Sequence, residues 1–471
     1  MKSWSVGAGT DAARSLLLTD LYQLTMLQAY WQHGMHRTAV FELFVRALPP
    51  CRRFLVAAGL ESVLDLAQHA RFSPDELAWI DGCGRFASGF ARWLEGLRFE
   101  GDLFALPEGT VFFPDEPMLQ VVAPMAQAQL LETRILNLMH LQTVVASKAA
   151  RAVLAAESRS LVDFGLRRAH GAEAGLLAAR SAWLAGFDGT ATALAGLRFG
   201  IPVFGTMAHS FVQAHDDEAE AFERFAGSFP SNAVLLLDTY DTVAAARKVA
   251  ALAPKLAERG IAIRGVRLDS GDLEALSRAV RAVLDDAGLA EAIIFASGNL
   301  DEYRVRDLVR AGAPIDSFGV GTALTTSSDA PYLDAVYKLQ AYDGRPRRKR
   351  STGKATWPGR KQVWRERDAD GAMLRDVVGL ADEFDDVDPA QGSGTPLLVP
   401  AMRGGERVHA ESLVDARHRC AEELARLPAP LAAIDADPAL PPYPVEISAR
   451  VRALADEIDR ATAGAAGPEA R

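Results

Sequence analysis

The spacing of apolar positions changes its rhythm twice along the chain. From Leu17 to Tyr30 the apolar residues recur at helical intervals, with Thr19 and Asp20 near the start and Gly34 past the end. That spacing predicts a helix, and the segment to about Glu100 reads as helices with short connectors. Residues 101–124, GDLFALPEGTVFFPDEPMLQVVAP, read as strands cut by Pro107, Pro114 and Pro117. A long helix is expected from about Met125 to Ser158. Then short apolar runs alternate with helical stretches. The runs are SLVDFG (160–165), AWLAGF (182–187), IPVFGT (201–206), AVLLLDT (233–239), GVRLDS (265–270), AIIFAS (292–297) and DSFGVGT (316–322). Alternation of this kind predicts an α/β fold with a parallel sheet, best closed as an irregular βα barrel.

After about Pro331 the alternation stops. YLDAVYKLQAYDGRPRRKRS reads as a strand, an Asp-Gly turn and a basic return strand. A helix is expected near HAESLVDARHRCAEELARLP. The tail from about Pro428 reads as peripheral, and its last stretch, ATAGAAGPEAR, as frayed. The expected domains are a βα barrel at 136–330 and an α+β domain built from N- and C-terminal segments, 1–135 and 331–430. Residues 431–471 form the tail.

Polar residues gather at the C-terminal ends of the runs: Asp163, Thr206 with His209, Asp238, Asp269, Ser297 with Asn299, and Gly321 with Thr322. In a βα barrel those ends share one mouth, where active sites are built. Singly, each also fits a turn or an N-cap. As a set they favour a mouth.

Composition narrows the function. The 471 residues are 49% hydrophobic and 24% charged, as in soluble globular proteins, which excludes wholesale disorder. No apolar run approaches the roughly 20 residues of a membrane helix. The N-terminus, MKSWSVGAGTDAARS, lacks the apolar core of a signal peptide. A cytoplasmic protein without membrane partners is expected. Cys51, Cys83 and Cys420 lie too far apart for a CxxC or a disulfide framework. A net charge of −10 argues against nucleic acid as a partner.

Individual motifs decide less. GVGTAL (319–324) is not GxGxxG, so a dinucleotide fingerprint is rejected; its glycines suit a phosphate loop or an ordinary tight turn. STGK (351–354) fails the P-loop template. The basic stretch RPRRKRSTGK is either a solvated charge run or an anion-binding arm. None of the nine histidines forms a close metal-ligand set, so no direct protein metal cluster is expected. His209, in GTMAHS, stands out by its place after a strand end. No GxSxG elbow supports a hydrolase.

Seven motifs in order resemble the nicotinate phosphoribosyltransferase family: TDLYQLTM (19–26), DFGLRRAHG (163–171), GTMAHSFVQAH (205–215), LLDTYDT (236–242), RLDSGDL (267–273), FGVGTAL (318–324) and GKATWPGRKQV (353–363). The resemblance spans roughly residues 16–430. It implies transfer of phosphoribosyl from phosphoribosyl diphosphate to nicotinate, coupled to ATP with Mg²⁺, for NAD synthesis. It implies that Tyr22 and Phe164 sandwich the pyridine ring, with Tyr22 reaching in from the neighbouring subunit of a homodimer. Arg167, Thr206 and Arg267 match nicotinate-contacting positions, and Arg167 also lies near the phosphates. Asp269, Ser297, Gly298, Asn299, Gly321 and Thr322 match the phosphoribosyl diphosphate site. His209 matches the family's phosphorylated histidine, and Lys354 and Arg360 match diphosphate or ATP contacts. Mg²⁺ would be held mainly by phosphates and water. Nicotinamide-using relatives carry an Asp after a Gly-Thr pair, where this chain has Ala191; the direction of nearby Asp188 bears on the same choice. The alternatives are a nicotinamide or quinolinate transferase of the same fold, or a non-catalytic binding protein on this scaffold.

Overall fold

The computed structural model describes residues 14–383, 394–435, 437 and 439–465. The expectation for the N-terminal MKSWSVGAGTDA and the end of the frayed tail lie outside those residues. The chain divides into two compact units: residues 1–143, 332–431 and 437–471 form the first, and 144–331 with 432–436 the second.

The first unit is built on a seven-stranded antiparallel sheet. Its order is Arg345–Pro346, Ala335–Tyr342, Thr38–Val45, Pro117–Pro124, Asp102–Ala105, Val399–Arg403 and Glu406–Arg407. Thr38–Val45 corrects the all-helical reading of the first hundred residues. Seven of its eight residues are buried, so TAVFELFV shows no alternation to reveal a strand. At its centre the buried Glu42 pairs with the buried Lys361 at 2.6 Å, and Gln120 donates to the same carboxylate. The first helix runs Leu21–Gln32, and Asp20 stands at its N-cap without a capping bond. The expected long helix is broken into Met125–Leu130 and Glu132–Ala156. The Asp343–Gly344 turn has both residues at positive φ, which suits a two-residue hairpin loop.

A second sheet in this unit aligns Thr395–Pro396, Lys361–Arg367, Met373–Leu380 and Val445–Ile447. Its last strand corrects the peripheral reading of the tail. Tyr443 is buried, stacks on Phe113 at 3.8 Å and donates to Asp376, and Ala449–Ala465 forms a helix. Ala- and Pro-rich composition hid these contacts because a few large residues make them. The basic stretch is partly spent on this helix: Arg348 and Arg350 each lie 3.2 Å from Asp459.

The second unit holds six parallel strands: β1 Ser160–Asp163, β2 Gly189–Thr190, β3 Ala233–Leu236, β4 Ile263–Leu268, β5 Ile293–Ala296 and β6 Ser317–Val320. Their order is β2-β1-β6-β5-β4-β3, curled as a half-barrel. Strands β1 and β6 are buried at nearly every position, as parallel strands covered on both faces must be. Two runs differ from expectation. AWLAGF is the end of the helix Ala172–Leu184 and a turn, and the strand is Gly189–Thr190. IPVFGT contributes a single bridge, Val203 to Thr190. A short apolar run does not distinguish a buried strand from a buried helix end. The three cysteines are free thiols, and burial pushes the Cys420 thiol up to about 12.

Candidate active site

The C-terminal ends of the parallel strands bring together six residues singled out above: Phe164, Thr206, His209, Arg267, Asp269 and Ser297. Their placement starts from Asp163, the last residue of β1. Its buried carboxylate accepts from Thr190 Oγ1 at 2.7 Å and from Gly165 N–H at 2.8 Å. Burial pushes this carboxyl up, and the Thr190 and Gly165 bonds only partly offset that. The two bonds fix the turn that presents Phe164. Its ring stacks on Phe295 of β5, centroids 5.4 Å apart. Gly319 of β6 makes room, since a Cβ there would stand 2.9 Å from the Phe164 ring.

Arg267 of β4 lies against that ring, its guanidinium carbon 5.3 Å from the centroid. Nε donates to Ser297 Oγ at 2.9 Å, Nη2 to Asp269 Oδ1 at 2.8 Å, and Nη1 reaches Thr206 Oγ1 at 3.5 Å. A guanidinium has five N–H donors, so two stay available for an incoming carboxylate. Ser297 also donates to Asp269 at 2.5 Å. Burial pushes the Asp269 carboxyl up, but the Ser297 hydroxyl, the Arg267 guanidinium and His209 outweigh it and hold the group below the ordinary aspartate range. Asp269 is therefore a fixed anion at neutral pH.

His209 opens the short helix His209–Gln213. Its Nε2 is 3.9 Å from Asp269 Oδ2, and its Nδ1 is 3.2 Å from Thr239 Oγ1. The imidazole is thus oriented from both sides while 40% of the side chain stays exposed. A neutral ring nitrogen held this way can act as a nucleophile.

The loop after β5 is pressed against β4. Gly298 has φ +98°, and a Cβ there would lie 1.9 Å from the Asp269 carbonyl oxygen; Asn299 is also left-handed, at φ 49°. Asp269, Ser270, Gly298, Asn299 and Arg304 line an open hollow of about 410 Å³. Small-molecule sites begin at roughly 300 Å³. After β6, Gly321 packs on the Phe164 carbonyl, where a Cβ would come to 2.9 Å, and precedes the turn Thr322–Thr325.

Four contacts add to the sequence reading. Thr239 holds His209, and Ser270 donates to Asp238 at 2.5 Å. Phe295 backs Phe164. Of the two exposed arginines Arg167 and Arg168, it is Arg168 that donates to Thr322 Oγ1, at 3.0 Å. Thr239 and Asp238 lie inside LLDTYDT at a strand end, so their place was readable; which of two adjacent arginines turns toward Thr322 depends on the short 3₁₀ turn Leu166–Arg168. Asp188 precedes β2, on the side away from the strand C-termini, and accepts from Leu161 N–H at 3.1 Å. Ala191 N–H donates to the Asp163 carbonyl, and its methyl offers no acceptor. Tyr22, Lys354 and Arg360 belong to the first unit. Tyr22 is 47% exposed, and Arg360 lies 4.0 Å over the Phe104 ring. Among the described residues no cluster of three or more His, Cys, Asp or Glu is arranged to hold a metal ion. No helix there is long and apolar enough to cross a membrane.

Comparison with known proteins gives the chain's relatives. The family model for the nicotinate phosphoribosyltransferase N-terminal domain matches residues 17–140, and that for the nicotinate phosphoribosyltransferase family matches 159–346. The chain is 50% identical over 437 residues to nicotinate phosphoribosyltransferase pncB2 of Mycobacterium tuberculosis, covering 92% of each chain. It is 42% identical over 356 residues to nicotinate phosphoribosyltransferase of Bacillus subtilis, covering 74% of this chain and 72% of the relative. The crystal structure of human nicotinic acid phosphoribosyltransferase superposes with a TM-score of 0.83 at 30% identity, over 93% of this chain and 99% of the human one.

Proposed function

Since the chain belongs to the nicotinate phosphoribosyltransferase family, we propose that it transfers phosphoribosyl from phosphoribosyl diphosphate to nicotinate, giving nicotinate mononucleotide and diphosphate for NAD synthesis. The observation that carries this reading is Arg267. It lies on an aromatic face with donors to spare, beside an ionised carboxylate.

Nicotinate stacks on Phe164, with Tyr22 of the neighbouring subunit of a homodimer on its other face. Its carboxylate takes the two remaining Arg267 N–H groups, helped by Thr206 and Arg167. The ring nitrogen then attacks C1 of the ribose as the bond from C1 to diphosphate breaks. Positive charge grows on the ribose, and the fixed anion of Asp269 stabilises it. Ser297, Gly298 and Asn299 hold the ribose and diphosphate. Gly321 and Thr322 hold the 5′-phosphate. Mg²⁺ would be held mainly by the phosphates and water and would screen their charge, since Asp238 and Asp269 are already engaged by Ser270, Arg267 and Ser297.

ATP enters through His209. A ring nitrogen attacks the γ-phosphorus, ADP leaves, and water later releases phosphate. A phosphoryl group beside Asp269 changes the charge of the diphosphate site between turnovers. Lys354 and Arg360 supply cations for ATP or diphosphate. Selectivity for the acid over the amide fits Ala191, and it fits Asp163 and Thr190 being spent on each other and Asp188 on Leu161. Free thiols suit a reducing compartment, the cytoplasm.

The test is direct. The protein is incubated with phosphoribosyl diphosphate, ATP, Mg²⁺ and, in parallel, nicotinate, nicotinamide or quinolinate. Mononucleotide from nicotinate alone is expected. Turnover of only nicotinamide or quinolinate overturns the substrate, and no turnover of any pyridine makes this a binding protein.

A further inference from the structure

A buried charge cluster lies behind the two loops that face the proposed phosphoribosyl diphosphate site, and no step of the reaction uses it. At its centre is Lys148, on the helix Glu132–Ala156, with a side chain only 2% exposed. Its Nζ lies 2.6 Å from Glu302 Oε2 and 2.9 Å from Asp329 Oδ1. Those carboxylates belong to different loops. Glu302 is the first residue of the helix Glu302–Arg310, three residues after Asn299. Asp329 follows the turn Thr322–Thr325 and comes two residues after Ser327, whose backbone is left-handed at φ 44°. Arg151, nearly one helical turn beyond Lys148, donates to Glu302 Oε1 at 3.1 Å and to the Ile434 carbonyl at 3.0 Å.

Such a cluster is a poor device for stability alone. Desolvation of buried charges consumes most of their attraction, and apolar replacements are often as stable. What it supplies is geometry, because charge-assisted contacts are short and directional. One ammonium shared by two carboxylates sets the distance between the segments that carry them. Here those segments are the continuations of Ser297–Asn299 and of Gly321–Thr322.

We infer that Lys148 is a positioning residue for phosphoribosyl diphosphate: through Glu302 and Asp329 it fixes the spacing between the loop after β5 and the loop after β6. The identity of the ligand rests on the proposed function; the spacing role does not. Lys148 touches no substrate, so its effect should fall on the phosphate-bearing ligand and spare nicotinate.

The experiment compares the full-length protein with Lys148→Met, an apolar side chain of similar length. It measures KM for both substrates, and affinity for inorganic diphosphate with Mg²⁺ by calorimetry. In the variant, KM for phosphoribosyl diphosphate and the Kd for diphosphate should each rise about tenfold or more, since small misplacements of positioning groups cost up to roughly a hundredfold. KM for nicotinate should stay within about twofold. Near-ultraviolet circular dichroism checks the fold. Should Lys148→Met not fold, Asp329→Asn, which keeps the pair with Glu302, is read by the same criteria. Unchanged diphosphate affinity, or an equal loss for both substrates, overturns the inference. A wild type that binds diphosphate but does not turn over nicotinate defeats the proposed function, while the calorimetric comparison still decides the role of Lys148.

Discussion

Arg267 lies on β4 and Phe164 on the turn just after β1, two strands that are not neighbours in the sheet, yet the guanidinium carbon of one lies 5.3 Å from the ring centroid of the other. The pair makes a corner with a flat wall and a cationic wall, the shape of an aromatic carboxylate. Arg267→Lys keeps the charge but loses the planar fork and the contacts with Ser297 and Asp269. Losing a charge-assisted hydrogen bond costs about 1.5–3 kcal/mol. Steady-state kinetics should therefore show kcat/KM for nicotinate falling roughly ten- to a hundredfold, mostly through KM. An unchanged KM for nicotinate would move its carboxylate elsewhere.

Asp269 is held below its ordinary value, so it stays ionised to lower pH in the folded protein than in the unfolded chain. The stability this contributes is complete above about pH 5 and fades as pH falls through the lowered value, since an unperturbed aspartate titrates near 3.9. Asp269→Asn should melt at lower temperature than wild type at pH 7, and the gap should narrow below about pH 4. A gap of constant size from pH 7 to pH 3.5 would show that the carboxylate is not tied to Arg267 and Ser297 as described.

Gly298 combines φ +98° with a position where a Cβ would stand 1.9 Å from a backbone oxygen. Neither can be relieved by a side-chain rotation. Gly298→Ala should lower stability by about 1–3 kcal/mol from backbone strain and displace the loop of Ser297 and Asn299. Thermal melting and KM for phosphoribosyl diphosphate check this, and a variant with wild-type values for both contradicts the close packing of this loop on β4.

Tyr22 gives a test of the dimer. If it completes the neighbouring site, Tyr22→Ala and Arg267→Ala are each weakened, but a mixed dimer holds one intact site. Co-refolding the two weakened variants in equal amounts should bring activity to at least about a quarter of wild type, the share of intact sites in randomly paired symmetric dimers. Activity no higher than that of the separate variants would place Tyr22 outside the partner's site.

Much of the second unit was legible because its chemistry sits at strand ends. Polar residues after β3, β4, β5 and β6 announce the mouth, since a parallel sheet with helices on its faces leaves them one place to converge. What was not legible depends on three-dimensional contact. TAVFELFV hides a strand because burial of both faces erases its alternation. AWLAGF looks like a strand because helix ends and strands share short apolar runs. The tail looked peripheral although Tyr443 is buried against Phe113. Lys148 carries no motif at all: only the fold brings Glu302 and Asp329, 27 residues apart in sequence, to the same ammonium.

The central claim is that His209 couples ATP to the transfer. The wild type and His209→Ala are incubated with nicotinate, phosphoribosyl diphosphate and Mg²⁺, with and without ATP, while nicotinate mononucleotide and phosphohistidine are measured together. The account predicts product strongly raised by ATP and a phosphorylated histidine in the wild type, both lost in the variant. An ATP effect of the same size in His209→Ala, or none in the wild type, would contradict it.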